Sequence, residues 1–177
     1  MSALNLNSPY FAIRKLTKHF PIRKGFLKRK EGYVNAVDNI SLEIEKGKTM
    51  GLVGESGCGK TTTAKMILHL EKPSSGEIII EGNDTVDIKG EQLRKFRRNV
   101  QLIFQDPFSS LNPHRTIKQR IAEPFIIHEI LKKRSDINDR LTQLLELVNL
   151  SPDCLKKYPH ELSGGQRQRV GIARALA

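Results

Sequence analysis

The residues best suited to chemistry form a glycine-rich segment, Gly54 to Thr61, with the pattern G-x-x-x-x-G-K-T. Glycines let the main chain approach a polyphosphate closely, and the N–H groups of such a loop face the anion together with the positive end of the following helix. Lys60 would reach the β- and γ-phosphates, and the Thr61 hydroxyl would bind Mg²⁺. The residues predicted to bind phosphate are Gly54, Glu55, Ser56, Gly57, Cys58, Gly59, Lys60, Thr61 and Thr62.

The flanks of this segment support a phosphate-binding interpretation. An apolar run, Met50–Val53, precedes it and predicts a short buried strand, while Thr62–Leu68 predicts the start of a helix. A strand, a glycine-rich turn and a helix form the context in which this motif binds phosphate. A merely flexible glycine turn is a poor alternative.

Length and composition indicate one globular domain, since 177 residues are enough for a sizeable core. No apolar run approaches the roughly 20 residues that a membrane-spanning helix requires. The first residues lack the basic and apolar regions of a secretion signal, and two cysteines do not make a disulfide framework. We therefore expect a cytoplasmic protein.

The chain is strongly basic, with a net charge of +11. Basic residues cluster at positions 23–30, 94–98 and 132–134. Such clusters could bind nucleic acid or an anionic membrane surface, or attract nucleotide. Solvated loops and helix faces are the more ordinary interpretation, and no aromatic residues interleave with the clusters as in a single-strand stacking platform.

Several segments predict strands. The first, Tyr10–Phe20, should end at Pro21 and lead into a basic loop, Pro21–Gly32. The others are Ile40–Glu45, Glu77–Glu81 and Val100–Phe104.

The second half of the chain predicts helices. Ser135 is a plausible N-cap for a helix that ends at Ser151-Pro152. Its apolar face consists of Ile137, Leu141, Leu144, Leu145 and Val148. A last helix should begin just after Ser163–Gly165, whose small residues and hydroxyl form a second anion site.

Two further motifs point to a family. They are Phe104-Gln105-Asp106-Pro107, after a predicted strand, and Leu162-Ser163-Gly164-Gly165-Gln166, at a predicted helix start. Together with Gly54–Thr61 they resemble the nucleotide-binding subunits of ATP-binding cassette (ABC) transporters, over nearly the whole chain. The resemblance implies an α/β P-loop ATPase core with an antiparallel β subdomain, roughly residues 1–105, and a helical signature subdomain, roughly 106–177.

The resemblance also implies shared ligands. ATP and Mg²⁺ would lie between two subunits arranged head to tail, with Ser163, Gly165 and Gln166 of one touching the γ-phosphate held by Lys60 of the other. Gln105 would sense Mg²⁺ and the attacking water, while its loop contacts transmembrane permease subunits. The implied location is the cytoplasmic face of the inner membrane, with a solute-binding protein as an indirect partner.

Adenine needs an aromatic face, which the resemblance places at the end of the first strand. Phe20 is the first choice and Tyr33, beyond the basic loop, is the second. Each could equally be an ordinary packing residue.

The run from Phe104 to Pro113 and the Tyr158-Pro159-His160-Glu161 segment are similar to the dipeptide, oligopeptide and nickel importer ATPases. The transported solute and the choice between homodimer and heterodimer stay open. We expect His160 and Glu161 to have structural or interface roles.

The sequence departs from the family pattern at one point. Residues 162–177 contain neither Asp nor Glu, so the Walker B carboxylates and the switch histidine that the family places after the last helix are not among the 177 residues. We therefore expect this polypeptide to bind nucleotide but to hydrolyse it poorly, and the apolar surface around Val53 to be uncovered.

Three alternative classes remain at this point. A nucleic-acid-associated cassette ATPase would carry coiled coils or zinc modules between its motifs, and only a compact segment separates Gln105 from Ser163, so we expect no nucleic-acid partner. A small-molecule kinase or GTPase would lack the Ser163–Gln166 signature. A degenerate module that only occupies a partner's dimer interface would copurify with a full-length subunit.

Overall fold

The computed structural model describes residues 9–24, 29–106, 111–131 and 133–177. The chain divides into two compact units, residues 1–93 and 94–177. The boundary between these units lies earlier in the chain than the boundary near residue 105 that separates the two predicted functional parts. No helix in the described ranges is both long and apolar enough to cross a membrane.

An antiparallel sheet organises the first unit. Its strands are β1 (Phe11–Lys24), β2 (Arg29–Ile44), β3 (Ser75–Ile80) and β4 (Asn83–Asp84), in the spatial order β2-β1-β3-β4. Helix α1 (Lys60–Ile67) packs against this sheet through Met66, which is fully buried. The core of the unit consists of Ile13, Leu16, Val37, Met66 and Ile78.

In its described residues, the basic segment after Pro21 forms a strand pair and not the loop that the sequence predicts, and residues 25–28 of that segment lie outside the described residues. β1 continues through Pro21 to Lys24, and β2 already begins at Arg29, with Pro21 opposite Tyr33. Proline has no backbone N–H to donate. It is therefore tolerated in a strand where that side of the strand has no hydrogen-bonded neighbour. In the described residues, β3 pairs with β1 no further than Thr17, so this condition is met at Pro21.

Two predicted strands are wrong. Residues 49–54 and 100–104 have no regular secondary structure, because none of the four strands of the sheet pairs with them. Most of their apolar side chains are exposed as a result, Val53 to 91% and Phe104 to 48%, while Val100 and Leu102 are half-buried. The uncovered apolar surface expected around Val53 is therefore confirmed.

The second unit is helical. Its elements are α2 (Gly90–Asn99), most of which lies in this unit, α3 (Ile117–Ile127), α4 (Arg134–Leu147), α5 (Gly164–Ala175) and the short 3₁₀ helices Pro152–Lys156 and Pro159–Glu161. The predicted apolar face of α4 packs into the core, where Leu141, Leu144 and Leu145 are fully buried against Phe125 and Val170. The sequence did not predict α2 or the limits of α3.

Ser135 is not the N-cap of α4. The helix starts two residues earlier than predicted, with Lys133 at the N-cap and no side-chain capping bond there. The Ser135 hydroxyl instead donates to the Asp136 carboxylate at 2.9 Å. Serine competes for local acceptors in just this way, which is why a capping residue is an uncertain marker of the helix start.

Candidate nucleotide-binding site

The glycine-rich loop is fixed against the sheet at its last residue. Gly59 is the N-cap of α1 and has φ +95°, in the left-handed region that favours glycine. A Cβ there would collide with the Ala36 carbonyl oxygen and would lie 3.3 Å from Cγ2 of Val37. Since Val37 belongs to the core with Met66 of α1, this contact sets where the loop ends and where the helix begins.

Lys60 places its charge inside the loop. Its Nζ donates to the carbonyl oxygens of Gly54 at 2.6 Å and Glu55 at 2.5 Å, and it lies 3.4 Å from Sγ of Cys58. Residues 54–58 are all exposed. The ammonium group is therefore positioned at an open, solvent-accessible loop, where an arriving anion would meet it.

The first turn of α1 presents backbone donors. The N–H of Thr63 bonds to the Gly59 carbonyl at 2.8 Å, but the three N–H groups before it have no intrahelical acceptor. No side chain caps the helix at Gly59, and no acidic residue lies in its first turn. These donors and the positive helix end make a site for phosphate, and the exposed Thr61 hydroxyl adds the oxygen ligand that Mg²⁺ prefers. The residues present thus fit both ATP and its metal.

The N-terminus of α5 is built differently. Ser163 Oγ accepts from the Gln166 N–H at 3.3 Å, and Oε1 of Gln166 accepts from the Ser163 N–H at 3.0 Å. These two bonds form a capping box. The S-x-x-Q spacing of Ser163 and Gln166 is the sequence signal of such a box. Gly164 and Gly165 are exposed, and a Cβ at either would meet nothing within 4 Å. The turn therefore offers an unobstructed main-chain surface.

Gln105 is exposed, and it lies in the second unit with Ser163, whereas the Gly54–Thr61 loop lies in the first. The Pro107–Ser110 part of its motif lies outside the described residues. Glu161 accepts a hydrogen bond from the Tyr158 N–H at 2.6 Å inside a 3₁₀ turn. That bond agrees with the structural role expected for Glu161.

Phe20 and Tyr33 lie on opposite faces of the β1–β2 pair. Phe20 is opposite Val34 and Tyr33 is opposite Pro21, so alternation along the strands separates them. The Phe20 ring centroid lies 4.9 Å from Nζ of Lys18, and Lys18 is opposite Val37. Phe20 therefore shares the face on which Val37 meets the phosphate loop.

The Tyr33 ring makes an edge contact with His19, the residue before Phe20 in β1, at a centroid distance of 6.3 Å. His19 is in turn bonded through Nδ1 to Asn35 Oδ1 at 2.6 Å. Both contacts lie on the face away from α1. The two candidate aromatic residues thus have different surroundings, which the sequence could not distinguish.

Comparison with known proteins identifies a family. A family model described as "ABC transporter" matches residues 37–177. The oligopeptide transport ATP-binding protein AppF of Bacillus subtilis (strain 168) is 49% identical over 165 residues, which are 93% of this chain and 50% of AppF. The glutathione import ATP-binding protein GsiA of Escherichia coli (strain K12) is 45% identical over 169 residues, 96% of this chain and 27% of GsiA. The chain thus spans about half the length of AppF and about a quarter of the length of GsiA.

Solved structures agree. The dimeric structure of MJ0796, a bacterial ABC transporter cassette, has a TM-score of 0.78 and 31% identity, covering 94% of this chain and 69% of that one. The same cassette in a post-hydrolysis state with ADP and Pi matches equally well. The predicted α/β P-loop ATPase fold and the predicted family are confirmed, and the chain belongs to the ABC transporter family, as an ATP-binding cassette.

Proposed function

We propose that this chain is the ATP-binding part of an ABC importer that takes up di- or oligopeptides or a related small solute. The observation that carries the proposal is the Lys60 ammonium held inside an exposed loop at the uncapped start of α1. The names of AppF and GsiA support a peptide-like solute for this chain as well. The solute itself would contact other subunits.

ATP and Mg²⁺ are the proposed ligands of the loop. The N–H groups of the loop and of the first turn of α1 would hold the β- and γ-phosphates, with Lys60 neutralising their charge. Thr61 would contribute its hydroxyl to Mg²⁺. Mg²⁺ would supply charge neutralisation of the transferred phosphoryl group.

Phe20 is the proposed adenine platform, in preference to Tyr33. The phosphate loop touches the sheet at Val37, which lies opposite Lys18, and Phe20 is two residues further along β1 on the same face. Strand geometry puts that step at about 7 Å. Tyr33 lies at a similar distance along the strands but on the other face.

A second copy or a homologous ATPase subunit is the proposed partner at the phosphates. Ser163, Gly165 and Gln166 of one subunit would contact the γ-phosphate bound by Lys60 of the other, in keeping with the dimeric MJ0796 structure. Because Oε1 of Gln166 accepts the Ser163 N–H in the capping box, Gln166 would also hold Ser163 in place. The Ser163 hydroxyl still has its proton to donate to phosphate.

Permease subunits are the proposed membrane partners, through the loop that carries Gln105, with a solute-binding protein acting indirectly. This assembly would place the chain at the cytoplasmic face of the inner membrane. We expect no nucleic-acid partner.

The 177-residue polypeptide is proposed to bind MgATP and to hydrolyse it slowly. Residues 162–177 contain no carboxylate that could orient the attacking water or complete the metal shell. Phosphoryl transfer needs such a group as well as the phosphate cradle.

Lys60→Ala tests the nucleotide site. The substitution removes the ammonium from the loop, and charge-assisted hydrogen bonds contribute about 1.5–3 kcal/mol each, so MgATP affinity should fall about 100-fold or more. Lys65→Ala is the matched control, because Lys65 is an exposed lysine in the last turn of the same helix. Titration calorimetry measures both, and equal affinities for the two variants would overturn the proposed site.

Phe20→Ala should weaken MgATP binding by about 10-fold, since an aromatic stacking pair contributes about 0.5–1.5 kcal/mol beyond its buried area. Tyr33→Ala should leave the affinity within about twofold. Inorganic triphosphate, which has no base, should bind equally to both variants. A larger loss at Tyr33 than at Phe20 would reverse the assignment.

Two substitutions at Ser163 separate helix capping from phosphate contact. Ser163→Ala loses the cap, which destabilises the protein by about 1 kcal/mol. Ser163→Asp keeps a good capping residue but brings a carboxylate to the γ-phosphate. Urea unfolding should therefore show loss for Ala alone, whereas ATP-dependent dimerisation in light scattering should fall most for Asp. Normal dimerisation of the Asp variant would exclude the phosphate contact.

Steady-state phosphate release tests the hydrolysis proposal. The 177-residue polypeptide should turn over about 100-fold or more slowly than full-length AppF, because a missing general base typically costs that much. Nucleotide binding is measured on the same sample, so that slow turnover is not mistaken for an empty site. A rate equal to that of AppF at matched occupancy would contradict this expectation.

A further inference from the structure

Lys18 is a largely buried lysine beside the proposed adenine platform. Its side chain is only 12% exposed, although lysine is among the residues least often buried unless it is paired. Phe20 lies two residues further along β1 and on the same face of the strand. A buried ammonium group costs free energy unless its hydrogen bonds are satisfied, so the surroundings of Lys18 call for an explanation.

Two acceptors hold the ammonium group of Lys18. Its Nζ donates to Oε1 of Glu71 at 2.6 Å and to the carbonyl oxygen of Lys72, also at 2.6 Å. Both acceptors belong to the segment that follows α1. Bonds of this length from a charged donor are strong, and together they restrict a side chain that otherwise has many rotamers. The position of the ammonium group is thus fixed by the protein itself.

The same ammonium group lies over the Phe20 ring. Nζ is 4.9 Å from the ring centroid, within the range of a cation–π interaction. Phe20 remains 37% exposed, so part of its surface is accessible to a ligand. Since the ammonium group is anchored by Glu71, its attraction for the ring also limits how the ring can turn.

A second lysine–aromatic contact in this unit shows what is particular to Lys18. Nζ of Lys46 lies 5.9 Å from the centroid of the Tyr10 ring, and both residues are exposed. An exposed ammonium group keeps its water, which weakens its attraction for a ring, whereas a desolvated one attracts a ring more strongly. The shorter distance and the burial of Lys18 therefore both favour the contact with Phe20.

A cation on one face of an aromatic ring changes what the opposite face offers. The face of such a ring is negative, and two rings stacked directly face to face repel each other for this reason. An ammonium group over one face attracts electron density toward itself and leaves the other face less negative. A purine base that stacks on that other face then meets less repulsion.

From these contacts we propose that Lys18 is a positioning residue for the nucleotide base and acts through Phe20. It fixes the plane of the ring and makes the accessible face a better surface for adenine. This inference rests on the proposed function of Phe20 as the adenine platform. Because Glu71 neutralises the charge of Lys18, its contribution concerns the base and not the phosphates.

Lys18→Met tests the proposal, because methionine keeps an unbranched apolar side chain and removes the ammonium group. MgATP affinity in titration calorimetry should fall about threefold, the size of a cation–π contribution. Affinity for inorganic triphosphate, which has no base, should not change. Lys18→Gln keeps a hydrogen-bond donor, serves as a second variant should the first not fold, and should show the same loss. Lys18→Arg should recover most of the affinity, since a guanidinium also attracts a ring face.

Lys72→Met is the matched control. Lys72 is in the segment that follows α1 and is paired with Asp87 at 2.8 Å, but its side chain is 71% exposed. This variant has the same net charge as Lys18→Met and should bind MgATP within about twofold of the unmodified chain. Equal losses of MgATP affinity in the two variants would mean general charge attraction and would overturn the proposal.

A double-mutant cycle with Phe20→Ala shows whether Lys18 acts through the ring. Without the ring, Lys18→Met should cause no further loss of MgATP affinity. The same loss with and without the ring, or a parallel loss of triphosphate affinity, would overturn the proposal in favour of a structural role. Unchanged MgATP binding by Lys18→Met beside weakened binding by Phe20→Ala would overturn this inference alone. Unchanged binding by Phe20→Ala would instead contradict the proposed platform, so the two failures are distinguishable.

Discussion

The close approach of Gly59 to the Ala36 carbonyl is the constraint on which the nucleotide site depends. It brings a turn of backbone into contact with the sheet at the residue where α1 begins. With the turn held there, the first N–H groups of the helix have no intrahelical acceptor, and Lys60 can fold back onto the Gly54 and Glu55 carbonyls. A side chain at position 59 would move the loop, the helix start and the ammonium together.

The N-termini of α1 and α5 both contain glycine, but only that of α5 has a side-chain cap. At α1 no side chain caps the helix, so an external anion is the natural partner for its donors. At α5 the Ser163–Gln166 capping box satisfies the chain internally and holds the serine in one orientation. The N-terminus of α1 is thus suited to bind a ligand, whereas the N-terminus of α5 presents a main-chain surface of fixed shape. This difference agrees with the proposed site shared between two subunits.

Local chemistry was predictable from the sequence, and pairing between distant segments was not. The glycine-rich turn before α1 and the N-terminus of α5 depend on glycine, serine and lysine at fixed spacing, and the sequence predicted a helix after each. The second helix begins at Gly164, two residues before its predicted start. Met50–Val53 has a strand-like composition, yet no strand of the described sheet pairs with it. The basic segment after Pro21 has a loop-like composition, yet its described residues 22–24 pair with residues 29–32 of β2, with a register shift after Ile22. Phe20 and Tyr33 looked equivalent because their separation is a matter of which face each occupies.

The extension of β1 and β2 beyond Thr17 has a thermodynamic consequence, because in the described residues each strand pairs there only with the other. A backbone held by one neighbour opens more readily than the four-stranded part of the sheet. Phe20 lies in this extension, and the Lys24–Arg29 backbone pair lies at its outer end. Whatever orders one end reduces the entropy left to be lost at the other. Linkage is reciprocal, so two ligands that order the two ends would each strengthen the binding of the other, by the same factor.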